Sequence, residues 1–521
     1  MRRPIVLTIL DGWGYSTKSF GNPIKEANTP EMDYIEKNYP MTLLQASGLA
    51  VGMVWGEIGN SEVGHLNIGA GRIIEQYMSR ITRAIANDDF FKNQALVGAF
   101  QHASKNKSKV HILGLLTSGT VHASIDHLLA LIELAAQNKH TETYLHLFLD
   151  GKDSGLHEAP ELLARVKDKI KNSGYCKLAS FIGRNFAMDR DNNWDRTQKS
   201  YDLFVSGIGE NTDDYLSTIK NYYDKKVNDS SIPPIVAKGV FAGINSDDAL
   251  IFFNFREDSM RQILRPFIEE KLEFFPRVNL QNLYICTMTE YIASTAVSIA
   301  FPRPDIKNSL VEVVSTSGKN QLHVAETEKY AHVTYFFNGL RTEAYPGETD
   351  IFIKSDTDHE LQPEMKCAEI ANKIITAIKE DLYDFYVINL ANADVLAHTG
   401  NYAATLVAVE AVDKIVGLIK KAVLENDGAM IITADHGNAE SLIYKTGGER
   451  ESKHDQSPVP FYLIGNQYQT KKDQGTITRE TRDVSGILAD VAPTIIELMN
   501  LPKPPEMTGQ SLLSILLANK Q

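Results

Sequence analysis

Cysteine is scarce in this chain of 521 residues: only Cys176, Cys286 and Cys367 occur, far apart and with no CxxC pair. That excludes a disulfide framework and a thiolate zinc site, and it suits a reducing compartment, so a cytoplasmic location is expected. Long apolar runs are missing too. The N-terminal one, over 4–10, is stopped by Asp11-Gly12, too short for a signal peptide and readable as a first strand, and no stretch approaches a membrane span. Positive charge is in deficit, with 53 Lys and Arg against 66 Asp and Glu and a net charge of −13. Such a chain lacks the field that non-specific nucleic-acid binding needs, but a local basic pocket for a small anion is still possible. There is no internal repeat and no low-complexity tract. What is present is ordinary for a globular protein: 43% apolar and 23% charged residues, enough for a large core in two or three domains.

The main regularity is an apolar, β-branched run that ends in a polar residue and is followed by a helical pattern. Strands are expected over 5–10, 110–116, 144–149, 250–255, 385–390 and 429–433, and helices over 73–86, 125–138, 158–172, 364–380, 402–425 and 487–500. Strands apolar on both faces imply parallel sheets covered by helices, an α/β class in which ligands bind beyond the carboxyl ends of the strands. The polar residues at those ends fall into two kinds. Asp and His gather at 11–65 and 394–454, whereas arginines gather between 110 and 265. This contrast predicts an inserted domain, with one crossing after Gly71-Arg72 and the other at the Pro-containing stretch 300–304.

Asp394 and His398 are four residues apart, so on a helix they share a face and can share a cation. Asp435-His436-Gly437 follows a strand, where a turn can bring both side chains to one metal. Asp11 and His454 complete a set of three carboxylates and three imidazoles, enough for two cations. Mixed oxygen and nitrogen donors without thiolate suit Mn²⁺, Mg²⁺, Co²⁺ or Zn²⁺. Ser61 stands at an expected helix start, where a plain N-cap is the common role. A helix N-terminus contributes only about 0.3–1 kcal/mol towards an anion, too little to ionise a serine. Bound Zn²⁺ lowers the pKa of water from about 15.7 to about 7, so metal coordination is the effective route to a serine nucleophile. Arg184, Arg190 and Arg256, at strand ends, have the planar fork that holds carboxylate or phosphate, and His122 and Asp153 could move protons beside such an anion.

Together these motifs resemble the cofactor-independent phosphoglycerate mutases of the alkaline phosphatase superfamily, from end to end. The segments that carry the likeness are 10–14 (LDGWG), 59–72, 183–191, 325–332 (AETEKYAH), 392–398 and 433–440. The resemblance implies two domains: an alkaline-phosphatase-like, metal-binding domain with a parallel-rich sheet flanked by helices, from 1–75 and 304–521, and an inserted α/β phosphotransferase domain over 76–303. It implies two divalent ions, with Mn²⁺ the first choice, one on Asp394, His398 and His454 and the other on Asp11, Ser61, Asp435 and His436. Ser61 would accept the phosphoryl group, Lys329 would contact it, and His122, Lys152, Asp153, Arg184, Arg190, Arg256 and Arg261 would bind the substrate. Asp153 would also transfer protons.

The implied reaction interconverts 3-phosphoglycerate and 2-phosphoglycerate without a diphosphoglycerate cofactor, in a monomer whose partner is a small molecule and not a nucleic acid or a membrane. Lys152, Ser259 and Leu340 depart from the family pattern, which has arginine at the first two positions and glycine at the third. Arg261 is the nearest replacement for the arginine missing at 259. Two other readings stay open: a metal-dependent phosphohydrolase or mutase for another phosphorylated metabolite, and a non-catalytic metal- or anion-binding protein.

Overall fold

The computed structural model describes residues 2–293, 295–442 and 454–518. The chain divides into two compact units, Met1–Gln76 with Asp305–Gln521, and Tyr77–Pro304. Each is built on its own eight-stranded sheet. Strands Ile5–Leu10, Phe385–Leu390 and Ala429–Thr433 are buried along their whole length, which is why their sequences are almost continuously apolar.

In the first unit Ile5–Leu10 lies between Phe385–Leu390 and Ala429–Thr433, parallel to both. Gln321–Glu326 and then Glu348–Ile353 extend the sheet on one side, also in parallel. On the other side Val459–Gly465 is antiparallel to its neighbours Ala429–Thr433 and Met41–Gln45, and Val484–Ile487 forms the edge. The reversed strand matters for function. A chain entering it starts at the edge where the parallel strands end, which brings His454 to the same side as Asp11 and Asp435.

The second unit centres on Val110–Leu116, parallel to Thr143–Leu149 and Ala249–Phe252. Cys176–Gly183 continues the sheet in parallel, and Ile235–Ala237 turns antiparallel. Helices Ile125–Gln137 and Ala159–Ser173 pack their apolar faces into this unit's core.

Four elements differ from the sequence expectation by three or more residues at one end; the helix expected from 364 begins at Cys367. The strand expected to reach 255 ends at Phe252, because the side-chain oxygen of Asn254 takes the Leu115 N–H at 2.8 Å in place of a backbone carbonyl. The helix expected from 73 begins at Tyr77. The helix expected over 487–500 is Val491–Leu498, since Asp490 accepts from Ile487 N at 2.8 Å and from Gln510 N at 2.7 Å, fixing a turn before it. Among the described residues, no helix is long and apolar enough to cross a membrane.

Candidate active site

Asp11 directly follows the first strand, and Gly12 after it has φ 68° and would bring a Cβ within 2.8 Å of Asp394 Cβ. Only glycine lets these two carboxylate-bearing segments approach so closely. Asp394 and His398 share one face of helix Asn392–Thr399, with His398 Nε2 3.3 Å from Asp394 Oδ1. Ser61 is the first residue of helix Ser61–Ala70, but the cap is Asn60, whose side chain accepts from Val63 N. The serine hydroxyl is therefore spared the capping task.

That hydroxyl is the focus of the first unit. Lys329 Nζ donates to Ser61 Oγ, to Asp11 Oδ1 and to Asp394 Oδ2, each at 2.7 Å. Ser61 Oγ donates to Asp11 Oδ1 at 3.2 Å and lies 2.9 Å from His436 Nε2. His398 Nε2 and His454 Nε2 face each other at 2.9 Å, and His454 Nε2 is 3.6 Å from Asp394 Oδ1. The structure thus brings Asp11, Ser61, Lys329, Asp394, His398, Asp435, His436 and His454 together.

Their charges are strongly coupled. Burial opposes ionisation of Asp11, but the Lys329 and His436 charges hold its carboxyl well below the usual range. Asp394 is likewise lowered against burial, chiefly by Lys329. Burial also works against the Lys329 charge, yet Asp11, Asp394 and Asp435 raise its pKa. His436 is raised to about 10 by Asp435, Asp11 and Asp394, in spite of burial. Burial and the nearby His436 charge push His454 down to about 4, leaving a neutral imidazole.

A divalent cation fits these residues. The donor atoms of Asp394, His398 and His454 lie within 4.8 Å of one another, as do those of Asp11, Asp435 and His436. His454 Nδ1 donates to Gly59 O at 2.8 Å and His436 Nδ1 points at Gly437 O at 3.2 Å, which turns both Nε2 atoms inwards. Asp435 Oδ2 is buried, accepts no well-formed hydrogen bond and has only the imidazoles of His65, at 3.2 Å, and His436, at 3.6 Å, beside it, which leaves it open to a cation. A third group, His323, Glu348 and Asp350, sits on the two outer strands, but its His323 Nδ1 is engaged by Val333 O at 2.8 Å.

Several supporting residues escaped the sequence reading. Asn389 donates to Asp11 Oδ2, and Asn438 to Asp394 Oδ1, both at 2.7 Å. Glu440 Oε2 accepts from Gly14 N at 3.0 Å and Asn438 N at 2.9 Å, tying the loop after Asp11 to the loop after His436. A Cβ on Gly14 would collide with the Glu440 carboxyl. The signals were present: Asn389 is a polar residue in a strand otherwise apolar near it, and Asn438 and Glu440 lie in the 433–440 motif.

In the second unit the strand ends gather a different set. Arg184 follows Cys176–Gly183 directly and donates through Nη1 to Asp150 Oδ1 and Asp153 Oδ2, each at 2.6 Å. His122 Nε2 is 3.8 Å from Asp153 Oδ2, and His122 Nδ1 is 3.9 Å from Asp258 Oδ1. Arg256 Nε lies 3.4 Å from Asp258 Oδ1, and Arg190 pairs with Asp258 Oδ2. Burial and the Arg184 charge lower the His122 pKa. Lys152 is exposed beside this group, its backbone N–H held by Asp150 Oδ1 at 3.2 Å. Arg261 is not brought in. Its Nε donates to Tyr291 O at 3.1 Å and its Nη2 faces Glu257 at 3.5 Å. Asp150 and Asp258, given no role from sequence, are central here.

Leu340 has φ 67°, the left-handed region that favours glycine, and packs with Leu66, Ala70, Ile74 and Ile306.

A dense set of carboxylate, imidazole and serine donors at one edge of a mostly parallel sheet defines a metal-dependent enzyme, and a family model described as the Metalloenzyme superfamily matches residues 3–503. A protein of Clostridium botulinum (strain Langeland / NCTC 10281 / Type F), named 2,3-bisphosphoglycerate-independent phosphoglycerate mutase, is 44% identical over 518 residues, covering 98% of this chain and 99% of the relative. One of the same name from Clostridioides difficile (strain 630) is 43% identical over 521 residues, with 99% and 100% covered. The crystal structure of Leishmania mexicana phosphoglycerate mutase at low cobalt concentration is 28% identical, with a TM-score of 0.65 over 98% of this chain and 97% of that one. The chain belongs to the 2,3-bisphosphoglycerate-independent phosphoglycerate mutase family. It is an isomerase of a small-molecule substrate, interconverting 3- and 2-phosphoglycerate, and it binds divalent metal; the hydrolase and non-catalytic readings give way.

Proposed function

We propose that the isomerisation runs through a phosphoserine on Ser61, with two divalent ions, Mn²⁺ in the first place, held one by Asp394, His398 and His454 and the other by Asp11, Ser61, Asp435 and His436. The observation that carries this reading is the convergence of Lys329 Nζ, Asp11 Oδ1 and His436 Nε2 on one buried serine oxygen. Bound metal would supply positive charge at that oxygen and at the phosphoryl oxygens, lowering the cost of both nucleophile and transition state.

The first unit, the phosphatase-like metal-binding domain, handles the phosphoryl group. Ser61 Oγ, its proton lost as the cations bind, would form the new bond to phosphorus while the bond from phosphorus to the substrate oxygen breaks; that oxygen takes the proton carried by Asp153, and the return transfer leaves Ser61 Oγ deprotonated again. Lys329, fixed by two carboxylates, keeps a positive charge against the serine oxygen and the phosphoryl group throughout.

The second unit, the inserted phosphotransferase domain, holds glycerate through His122, Arg184, Arg190 and Arg256, with Lys152 adding charge at its margin. Asp153 is the proton carrier, oriented by Arg184 and facing His122. It gives a proton to one glycerate oxygen and removes one from the other hydroxyl, which then attacks the phosphoserine. Arg261, tied to Tyr291 O, is left outside this set. A monomer in the cytoplasm is the setting we favour, in keeping with three cysteines that are all buried and unpaired.

Acid quenching of metal-loaded enzyme during turnover of 3-phosphoglycerate tests the intermediate. The expected result is a phosphorylated peptide containing Ser61, and no 2-phosphoglycerate from Ser61→Ala. A Ser61→Ala variant with normal turnover would exclude the phosphoserine route.

A further inference from the structure

The arginines of the second unit are held in two different ways. Arg184 is 10% exposed and sits between Asp150, 1% exposed, and Asp153. Burial and charge-assisted bonds make this a fixed clamp. Arg190 and Arg256 are 56% and 50% exposed, and both turn to a single carboxylate, Asp258, itself 28% exposed. Exposed pairs of this kind are weak and exchange readily.

Asp258 opens a short 3₁₀ turn, Asp258–Met260, and its Oδ1 accepts from Ser259 N at 2.8 Å and from Ser259 Oγ at 3.3 Å. These bonds aim the carboxylate at both guanidinium groups and at His122 Nδ1, 3.9 Å away, which is buried and has no hydrogen-bond partner. The segment is anchored behind by Phe255 N, which donates to His122 O at 2.9 Å. Three arginines and three aspartates thus balance in this group, and Asp258 is the acid whose partners are half exposed.

We propose that Asp258 is a built-in competitor for the substrate: in the free enzyme its carboxylate occupies the anion position between Arg190 and Arg256, and an anionic group of the substrate must displace it to bind. The side chain keeps the two arginines ordered and their charge compensated until a better anion arrives. Weak or singly contacting anions do not displace it, so it sets a threshold for binding and with it selectivity. This inference rests on the reading above that Arg190 and Arg256 bind substrate.

The test measures binding of D-glycerate and of inorganic sulfate to the full-length, metal-loaded enzyme by calorimetry, together with KM and kcat for 3-phosphoglycerate. In Asp258→Asn, which keeps the shape and removes the charge, both probes are expected to bind more tightly, on the order of five-fold, and KM to fall. Asp258→Glu should restore wild-type affinity. If Asp258 only props the arginines in place, Asp258→Asn will bind both probes more weakly or unchanged and KM will not fall, which overturns the proposal. Arg256→Ala separates the two levels: an unchanged KM there removes Arg256 from substrate binding, whereas a raised KM with no gain in Asp258→Asn refutes the competitor alone. A thermal melt of each variant verifies folding, and Asp258→Ser serves as a second neutral variant if Asp258→Asn melts low.

Discussion

Asn60 takes over the capping of helix Ser61–Ala70, and its side chain spends its oxygen on Val63 N so that the next residue's hydroxyl is left for chemistry. At this scale the site is governed by charge. Three carboxylates, Asp11, Asp394 and Asp435, are buried together, and without metal Lys329 and His436 carry the compensating protons. His436 is raised from 6.5 to about 10 in the metal-free protein. A raised pKa contributes stability that is full below the unfolded value and is lost as pH rises through the folded one, so stability from this group declines between about pH 6.5 and 10. Urea unfolding of metal-free protein across that range should show the decline. The same proton must leave when a cation takes Nε2, so Mn²⁺ binding near pH 7.5 should release about one proton from His436, measured by calorimetry in buffers of different ionisation enthalpy. No proton release would mean that His436 is not a ligand. Asp11, Asp394, His398, Asp435, His436 and His454 were legible from sequence as acids and imidazoles clustered at the ends of apolar strands, whereas Lys329 entered only through the resemblance and Glu440 was missed. Asn389 and Asn438 were not legible either, since an amide's role depends on which atoms meet it.

Between elements, Glu440 joins two loops that the sequence separates by more than 400 residues, and it does so through backbone N–H groups of Gly14 and Asn438. Glu440→Ala would leave both donors buried without an acceptor, a cost of about 1–3 kcal/mol each. Thermal unfolding should show that loss, while Glu440→Gln, which keeps one acceptor oxygen, should lose less. Gly14→Ala should be worse tolerated than a surface change, because its methyl would strike the Glu440 carboxyl. Helix boundaries were read from sequence to within a few residues where an apolar stripe ran unbroken, as in Tyr402–Glu425. They failed where a side chain replaced a backbone partner. Asn254 ended a strand early through a hydrogen bond to Leu115, far away in the chain, and Asp490 delayed a helix through hydrogen bonds to Ile487 just before it and to Gln510 twenty residues on.

For the molecule as a whole, the proposed metal ligands all belong to the unit of Met1–Gln76 and Asp305–Gln521, while the arginine group belongs to Tyr77–Pro304. A ligand that binds only the folded state stabilises the part it contacts. Hydrogen exchange should therefore show Mn²⁺ slowing exchange in Ile5–Leu10 and Ala429–Thr433, with Val110–Leu116 and Thr143–Leu149 little changed. Equal protection of both sheets would contradict a metal site confined to the first unit. The amino-acid sequence by itself determined the α/β class, the central strands of both sheets, several of the longer helices and many of the residue types of the site, because periodicity and burial are local consequences of composition. Tertiary structure alone decided which donors meet. The reversal of Val459–Gly465 puts His454 at the edge where the parallel strands end, and the fold brings Lys329 within 2.7 Å of Ser61, Asp11 and Asp394. It also turned Arg261 towards Tyr291 and gave Asp258 to Arg190 and Arg256. The physical reason is that a hydrogen bond or ion pair is set by distances of a few ångströms, and chain order does not encode distances between segments hundreds of residues apart.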